Sequence, residues 1–224
     1  WIDGRQIMVT VSSDSPADSG WREVPLTRTG TYNLSDFTRG ADTLLASQRL
    51  PPGSISEMRL VLGDDNYLVE NDGTTVPLPI PSSLRQGLDI PVQAALQESG
   101  TLRLVLDVDA AMSVIGTSPA YQLSPKIRTY EKGSTAAMEG IVLPDSVVTG
   151  IRAISGTDTL TTLPDSTGYF RIAGLAAGSY QVIFGVDSAS GYGGDTLRGA
   201  AVTPPQVLSL DTVRLPLLSD TTGG

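Results

Sequence analysis

The chain has 224 residues, a hydrophobic content of 40% and a formal net charge of −9, so it is long enough for two small domains with real cores. It contains no cysteine and no histidine, which excludes disulfides, zinc–thiolate sites, the usual zinc proteases and Ser–His–Asp triads. The acidic excess is spread over both halves without a basic patch, which argues against nucleic acid and anionic membrane surfaces as partners.

Apolar and polar residues alternate in several stretches of the first half, which predicts antiparallel strands with one buried and one wet face. Residues 6–12 and 54–62 are two such stretches. Residues 101–109 are the most regular, and we predict that they form a long strand around which the fold is organised. Residues 120–129 predict one closing strand, and residues 110–115 predict a helical turn after that organising strand.

Small polar residues at positions 131–137 predict a linker between two domains. We therefore place a first domain at residues 1–132 and a second at residues 133–224. Strand patterns restart after the linker, and the alternation predicts that Phe170, Val182 and Phe184 point into a core. Short strands separated by turn residues predict an all-β fold with two tandem β-sandwich domains.

Several stretches of the first half resemble, in the same linear order, a bacterial lipoprotein family catalogued as domain-of-unknown-function family 4382. They are residues 32–37 (YNLSDF), 42–46 (DTLLA), 50–55 (LPPGSI), 58–63, 82–88, 104–110 and 125–128. The resemblance implies an exported protein, lipid-anchored at the outer membrane or cell surface of a Gram-negative bacterium, and it implies no activity. Because the chain starts at Trp1 without methionine, we expect a leader and any lipid-bearing cysteine to have been removed.

Sequence in the second half resembles the carboxypeptidase regulatory-like domain, a transthyretin-like (prealbumin-like) sandwich. The resemblance rests on residues 165–172 (DSTGYFRI), 173–178 (AGLAAG) and 179–184 (SYQVIF). Asp165 can cap the turn, while Gly168 supplies a backbone without Cβ restriction. The resemblance implies a spacer or stabilising module that carries no chemistry of its own.

Acidic residues suggest one candidate metal site. Asp107 and Asp109 lie two apart on a predicted strand, and Asp64 and Asp65 lie in a turn-rich loop. Carboxylate oxygens are calcium ligands, so these four together can hold a calcium ion, and we expect no other cofactor. The alternative is that Asp109 caps the following turn and the others are solvated. The same carboxylates can in principle serve as a glycosidase pair, although nothing in the sequence fixes their separation.

Aromatic residues suggest a candidate binding surface. Trp21, Tyr67 and Tyr192 can stack on sugar rings or anchor a protein partner, and the alternative is that they fill the core or are singly exposed. We identify no catalytic residue, because without a histidine or a well-placed lysine the sequence offers no activated serine.

The sequence thus predicts a non-enzymatic surface lipoprotein whose first domain binds or presents a ligand, such as a glycan or a surface protein. The second domain is expected to act as a spacer, and the membrane is expected to be contacted only through a lipid anchor. A structural or adhesion subunit resembling a pilus component is the alternative, and it would need an unpaired strand edge or an exposed apolar patch for self-association. A carboxylate-based enzyme acting on glycans is the third possibility.

Overall fold

A computed structural model describes residues 1–12, 20–37, 40–70, 72–110 and 112–218. The chain divides into two compact units, unit 1 at Trp1–Glu131 and unit 2 at Lys132–Gly224. The boundary predicted from the sequence falls one residue later. Within the described ranges, no helix is both long enough and apolar enough to pass through a membrane.

Nearly all regular structure in unit 1 is β-strand, with short 3-10 helices at Leu34–Phe37 and Ser82–Leu84. The strands are β1 (Ile2–Ser12), β2 (Gly20–Val24), β3 (Gly30–Tyr32), β4 (Gly53–Leu62), β5 (Tyr67–Val69), β6 (Thr75–Pro77), β7 (Leu88–Leu96), β8 (Leu104–Val108), β9 (Val114–Thr117), β10 (Ala120–Leu123) and β11 (Ile127–Glu131).

Strand β1 is the centre of unit 1. It pairs antiparallel with β2, β3 and β4, and β7 extends the sheet beyond β4. Ile7, Val9 and Val11 are buried on the inner face of β1, as their alternation predicts. The prediction that residues 101–109 organise the fold is wrong. That stretch yields only the five-residue strand β8, which pairs with β11 alone.

Three two-stranded ribbons in unit 1 contribute apolar side chains to the core beneath the large sheet; they are β5–β6, β9–β10 and β8–β11. Residues 120–129 do not form one strand, because they are divided between β10 and β11. The Oδ1 atom of Asp109 accepts a hydrogen bond from the backbone N–H of Met112 at 3.0 Å, so the predicted cap is confirmed. The turn is shorter than predicted, since β9 already begins at Val114.

Unit 2 is built from two packed sheets. Its strands are β12 (Ala136–Leu143), β13 (Val148–Ser155), β14 (Asp158–Thr162), β15 (Tyr169–Leu175), β16 (Gly178–Val186), β17 (Asp195–Val202) and β18 (Val207–Arg214). The sheet orders are β15-β12-β18 and β14-β13-β16-β17, and β12 and β18 run parallel. Phe170 and Phe184 meet edge to face in the core, with ring centroids 5.6 Å apart. The predicted all-β sandwich architecture is confirmed.

The turn before β15 forms as its sequence predicts. Asp165 Oδ1 accepts a hydrogen bond from the backbone N–H of Thr167 at 2.8 Å, and the N–H of Gly168 donates to the carbonyl of Asp165. Gly168 has a φ of 79° and lies so close to the carbonyl oxygen of Val142 that a Cβ atom would approach it to 2.3 Å. Glycine is therefore required here by both conformation and space.

Candidate functional site

Trp21 lies on the solvent-facing side of the large sheet of unit 1. Strand β1 places Thr10 beside Trp21 and Met8 beside Glu23, and these side chains face away from the core. The Trp21 residue is 37% exposed. The backbone of β2 is hydrogen-bonded to β1, so the indole is attached to a rigid part of the sheet.

Arg59 and Asp89 fix the orientation of this indole. The Arg59 guanidinium carbon lies 4.5 Å from the centroid of the Trp21 ring, a cation–π arrangement. Its Nε and Nη2 atoms donate to Asp89 Oδ1 and Oδ2 at 2.5 and 2.8 Å, which is the two-point geometry that arginine and carboxylate favour. We call Trp21, Arg59 and Asp89 the Trp21 platform.

Gly87 makes room for the Arg59 side chain. Its φ is 113°, and a Cβ atom at this position would come within 2.6 Å of Arg59 Cγ. Any larger residue would displace the stem of Arg59 and adopt an unfavourable backbone conformation. Glycine at position 87, just before β7, is thus required by the position of the Arg59 side chain.

The contact between Arg59 and Asp89 stabilises the ionised form of each side chain. The hydrogen bond from Arg59 is the main cause that lowers the pKa of Asp89, and the Coulombic attraction of Arg59 adds to it against a partial desolvation. The same hydrogen bond, together with the charges of Asp89 and Glu57, raises the pKa of Arg59. Both groups are therefore charged at neutral pH, and they neutralise each other.

The other two aromatic residues predicted to bind a ligand lie elsewhere. Tyr67 stacks on Trp1 with ring centroids 5.4 Å apart and an interplanar angle of 16°. That stack sits at the start of β1, whereas Trp21 pairs near its end, so Tyr67 does not join the platform. Tyr192 belongs to unit 2, where it is half-buried against the core and bridges to Leu217.

The four carboxylates predicted to bind calcium each have a protein partner. Asp107 pairs with Arg128, Asp109 caps its turn, and Asp64 and Asp65 pair with Arg85 and Arg5 at 3.5 and 3.2 Å. Across the described part of the chain, no group of three or more acidic side chains is placed to hold a metal ion. The calcium site and the glycosidase pair stay predictions that these contacts do not support.

A buried carboxylate at Asp3 is a feature that the sequence analysis missed. Its side chain has no exposed surface, and Oδ2 accepts hydrogen bonds from Arg5 Nε and Nη2 at 2.8 and 2.6 Å. The Asp3 backbone N–H donates to Oδ1 of the buried Asn66 at 2.8 Å. This cluster joins the start of β1 to the loop after β4, and its role is structural. The sequence could have indicated this feature only if the predicted first strand had been extended from residue 6 back to Ile2, which places Asp3 within the strand.

A comparable polar cluster in unit 2 lies on strands β12 and β15. Glu139 Oε2 accepts hydrogen bonds from the Tyr169 hydroxyl at 2.9 Å and from Arg171 Nη1. Desolvation, followed by the hydrogen bond to Glu139, raises the pKa of Tyr169. The phenol is therefore held protonated as a donor, which suits a structural contact better than nucleophilic chemistry.

Comparisons with known proteins give one family and one distant structure. The family described as "Domain of unknown function (DUF4382)" matches residues 1–125. No curated protein matches this chain. Among solved structures, the Streptococcal ancillary pilin is similar with 11% sequence identity and a TM-score of 0.28. The alignment covers 96% of this chain and 62% of that pilin chain, and a TM-score this low supports no conclusion.

Proposed function

This chain belongs to the family described as Domain of unknown function (DUF4382), and from that premise we propose that it is a non-enzymatic surface protein that binds an extracellular ligand on the Trp21 platform. The observation that carries the proposal is an exposed indole fixed by a cation that is itself fixed by a carboxylate. Binding of a ligand that stacks on such a ring costs little free energy for ordering the side chain, because the indole is already held in position.

Location in this proposal follows the lipoprotein character that the family resemblance implies, with unit 1 facing the ligand and unit 2 acting as a spacer. The polar cluster of unit 2 and the apolar residues of its core suit a stabilising module. The absence of histidine and cysteine from the sequence supports binding rather than catalysis.

A combined array of glycans and extended peptides tests this function. We expect the intact chain to bind a subset of the spots and the Trp21→Ala variant to lose them. Trp1→Ala is the matched control, because Trp1 is exposed to the same 37% but lies outside the platform. An intact chain that binds nothing, or a Trp21→Ala variant that binds as well as it does, would refute the proposal.

The alternative of a polymerising structural subunit is disfavoured by the sheet edges. In the three larger sheets the edge strands are β2, β3, β7, β14, β15, β17 and β18. Strands β2 and β14 have only five residues each, and β3 has three. In each of β7, β15, β17 and β18, a register shift places one extra residue in the end strand itself. Short and bulged edges discourage edge-to-edge pairing. We therefore expect light scattering to give a monomer at high concentration.

A further inference from the structure

Two carboxylates without an ion pair flank the exposed indole of the Trp21 platform. Glu23 lies two residues along β2 from Trp21 on the same face, and Glu57 lies across β1 from it, through Thr10. Neither glutamate forms an ion pair anywhere in the described ranges. We propose that the platform binds a basic, extended segment of another protein, an inference that rests on the function proposed above.

Charge favours a cationic ligand at this face. Asp89 neutralises Arg59, so the two flanking glutamates leave a local charge of about −2 by formal count. The chain as a whole carries −9, which adds a long-range attraction for basic partners. Anionic ligands are disfavoured by this charge, and two of the Arg59 donor atoms, Nε and Nη2, are already hydrogen-bonded to Asp89.

The indole itself is suited to a cation. Tryptophan has the most favourable ring for cation–π contacts, and the Arg59 guanidinium already occupies one position over this ring. Because Asp89 balances the Arg59 charge, a second guanidinium or ammonium group gains from the ring without a net repulsion. A neutral sugar could stack on the ring and donate hydroxyl hydrogen bonds to the glutamates, but only a cationic group also gains from their negative charge.

Spacing on the sheet fits an extended peptide. Trp21 and Glu23 are two residues apart on one strand, which is about 7 Å at strand rise. Alternate side chains of an extended partner have the same spacing, so one basic side chain can cover the indole while the next meets Glu23. Glu57 lies two strands from Trp21, about 10 Å away, and can receive a basic side chain on the other side.

Binding of short probes to the intact chain tests the inference. The chain has two tryptophans, so a Trp1→Phe background leaves Trp21 as the only indole reporter. The probes are a hexapeptide alternating arginine and serine, the same peptide with glutamate for arginine, and a neutral glucose hexamer. We expect the basic peptide alone to quench Trp21 fluorescence, and we expect its affinity to fall as salt is raised.

Substitutions then locate the binding. We expect Glu23→Gln and Glu57→Gln each to weaken the basic peptide about two- to fivefold, and Trp21→Ala, followed by calorimetry, to weaken it about tenfold or more. Glu98→Gln is the matched control, since Glu98 is an exposed acid after β7, three strands from β2. Circular dichroism of each variant excludes a loss of folding.

Each other outcome overturns the inference. A glucose hexamer that binds through Trp21, with the peptide inactive, would leave the binding function in place and replace the ligand class. If Glu98→Gln weakens binding of the basic peptide as much as Glu23→Gln does, the peptide is attracted by the overall negative charge of the chain and not by the platform. If no probe quenches Trp21, the inference fails, and the array decides the broader function separately.

Discussion

The two units bury different kinds of side chain. Within the described residues, the buried polar and charged side chains are Asp3, Asn66 and Ser113, and all three lie in unit 1. The buried set of unit 2 is apolar apart from the phenol of Tyr180. Unit 2 therefore depends on packing between two sheets, whereas unit 1 also depends on buried hydrogen bonds that tie its loops and ribbons to one large sheet.

This difference follows from the architecture. Unit 2 has sheets of three and four strands whose inner faces meet, so alternating side chains fill the core without help. Unit 1 has one large sheet opposed by two-stranded ribbons, which expose more unpaired backbone and need side-chain partners at their ends. Substitutions of apolar residues should therefore matter most in unit 2, and polar substitutions should matter most in unit 1.

Removing an aromatic side chain from the core of unit 2 is expected to have the largest effect. Phe184 is 1% exposed and packs on Phe170, so Phe184→Ala should lower the free energy of unfolding of unit 2 by about 3 to 5 kcal/mol. Both tryptophans lie in unit 1, so their fluorescence reports that unit while circular dichroism reports both. A cost below about 1 kcal/mol would contradict the packing argument.

The buried carboxylate of unit 1 should give the next largest effect. Asp3→Asn keeps the shape of the side chain but weakens the charged hydrogen bonds from Arg5, so we expect a loss of about 1.5 to 3 kcal/mol. Urea denaturation followed by tryptophan fluorescence measures it. Asp65→Asn is the control, because Asp65 meets the same arginine but its side chain is 77% exposed, and its loss should be small.

Ser113 provides a smaller test of the same idea. Its hydroxyl accepts a hydrogen bond from the backbone N–H of Lys126 at 2.8 Å and donates to the carbonyl of Asp109, which ties the end of β8 to the start of β11. Ser113→Ala leaves that N–H without its partner and should cost about 1 to 2 kcal/mol in thermal or urea unfolding. Ser82→Ala, at an exposed serine, should change little. Equal losses of stability for the two substitutions would contradict the stabilising role of the buried Ser113 hydrogen bonds.

The sequence allowed the strands of the sandwich and their inner faces to be predicted, because alternation is a local signal. Val182 and Phe184 are buried as predicted, and β4 spans nearly the predicted residues. Strand register is not a local signal. The meeting of Trp21 with Arg59 depends on pairings of β1 with both β2 and β4, and no spacing along the chain reveals them. Trp21 was therefore predicted as a candidate binding residue, whereas the contacts with Arg59 and Asp89 that orient it were not predicted.

Acidification is expected to have the smallest effect, and it tests whether Asp89 supports the platform. The pKa of Asp89 in the folded chain lies below the ordinary value of 3.8, so its contribution is complete above that value and is lost only as the pH falls further. In a Trp1→Phe background, Trp21 fluorescence should stay constant from pH 7 to about 4.5 and change below the ordinary aspartate range. Circular dichroism at each pH separates this change from unfolding. Asp89→Asn should remove the change, and a fluorescence transition near pH 6 would show that another group controls the indole.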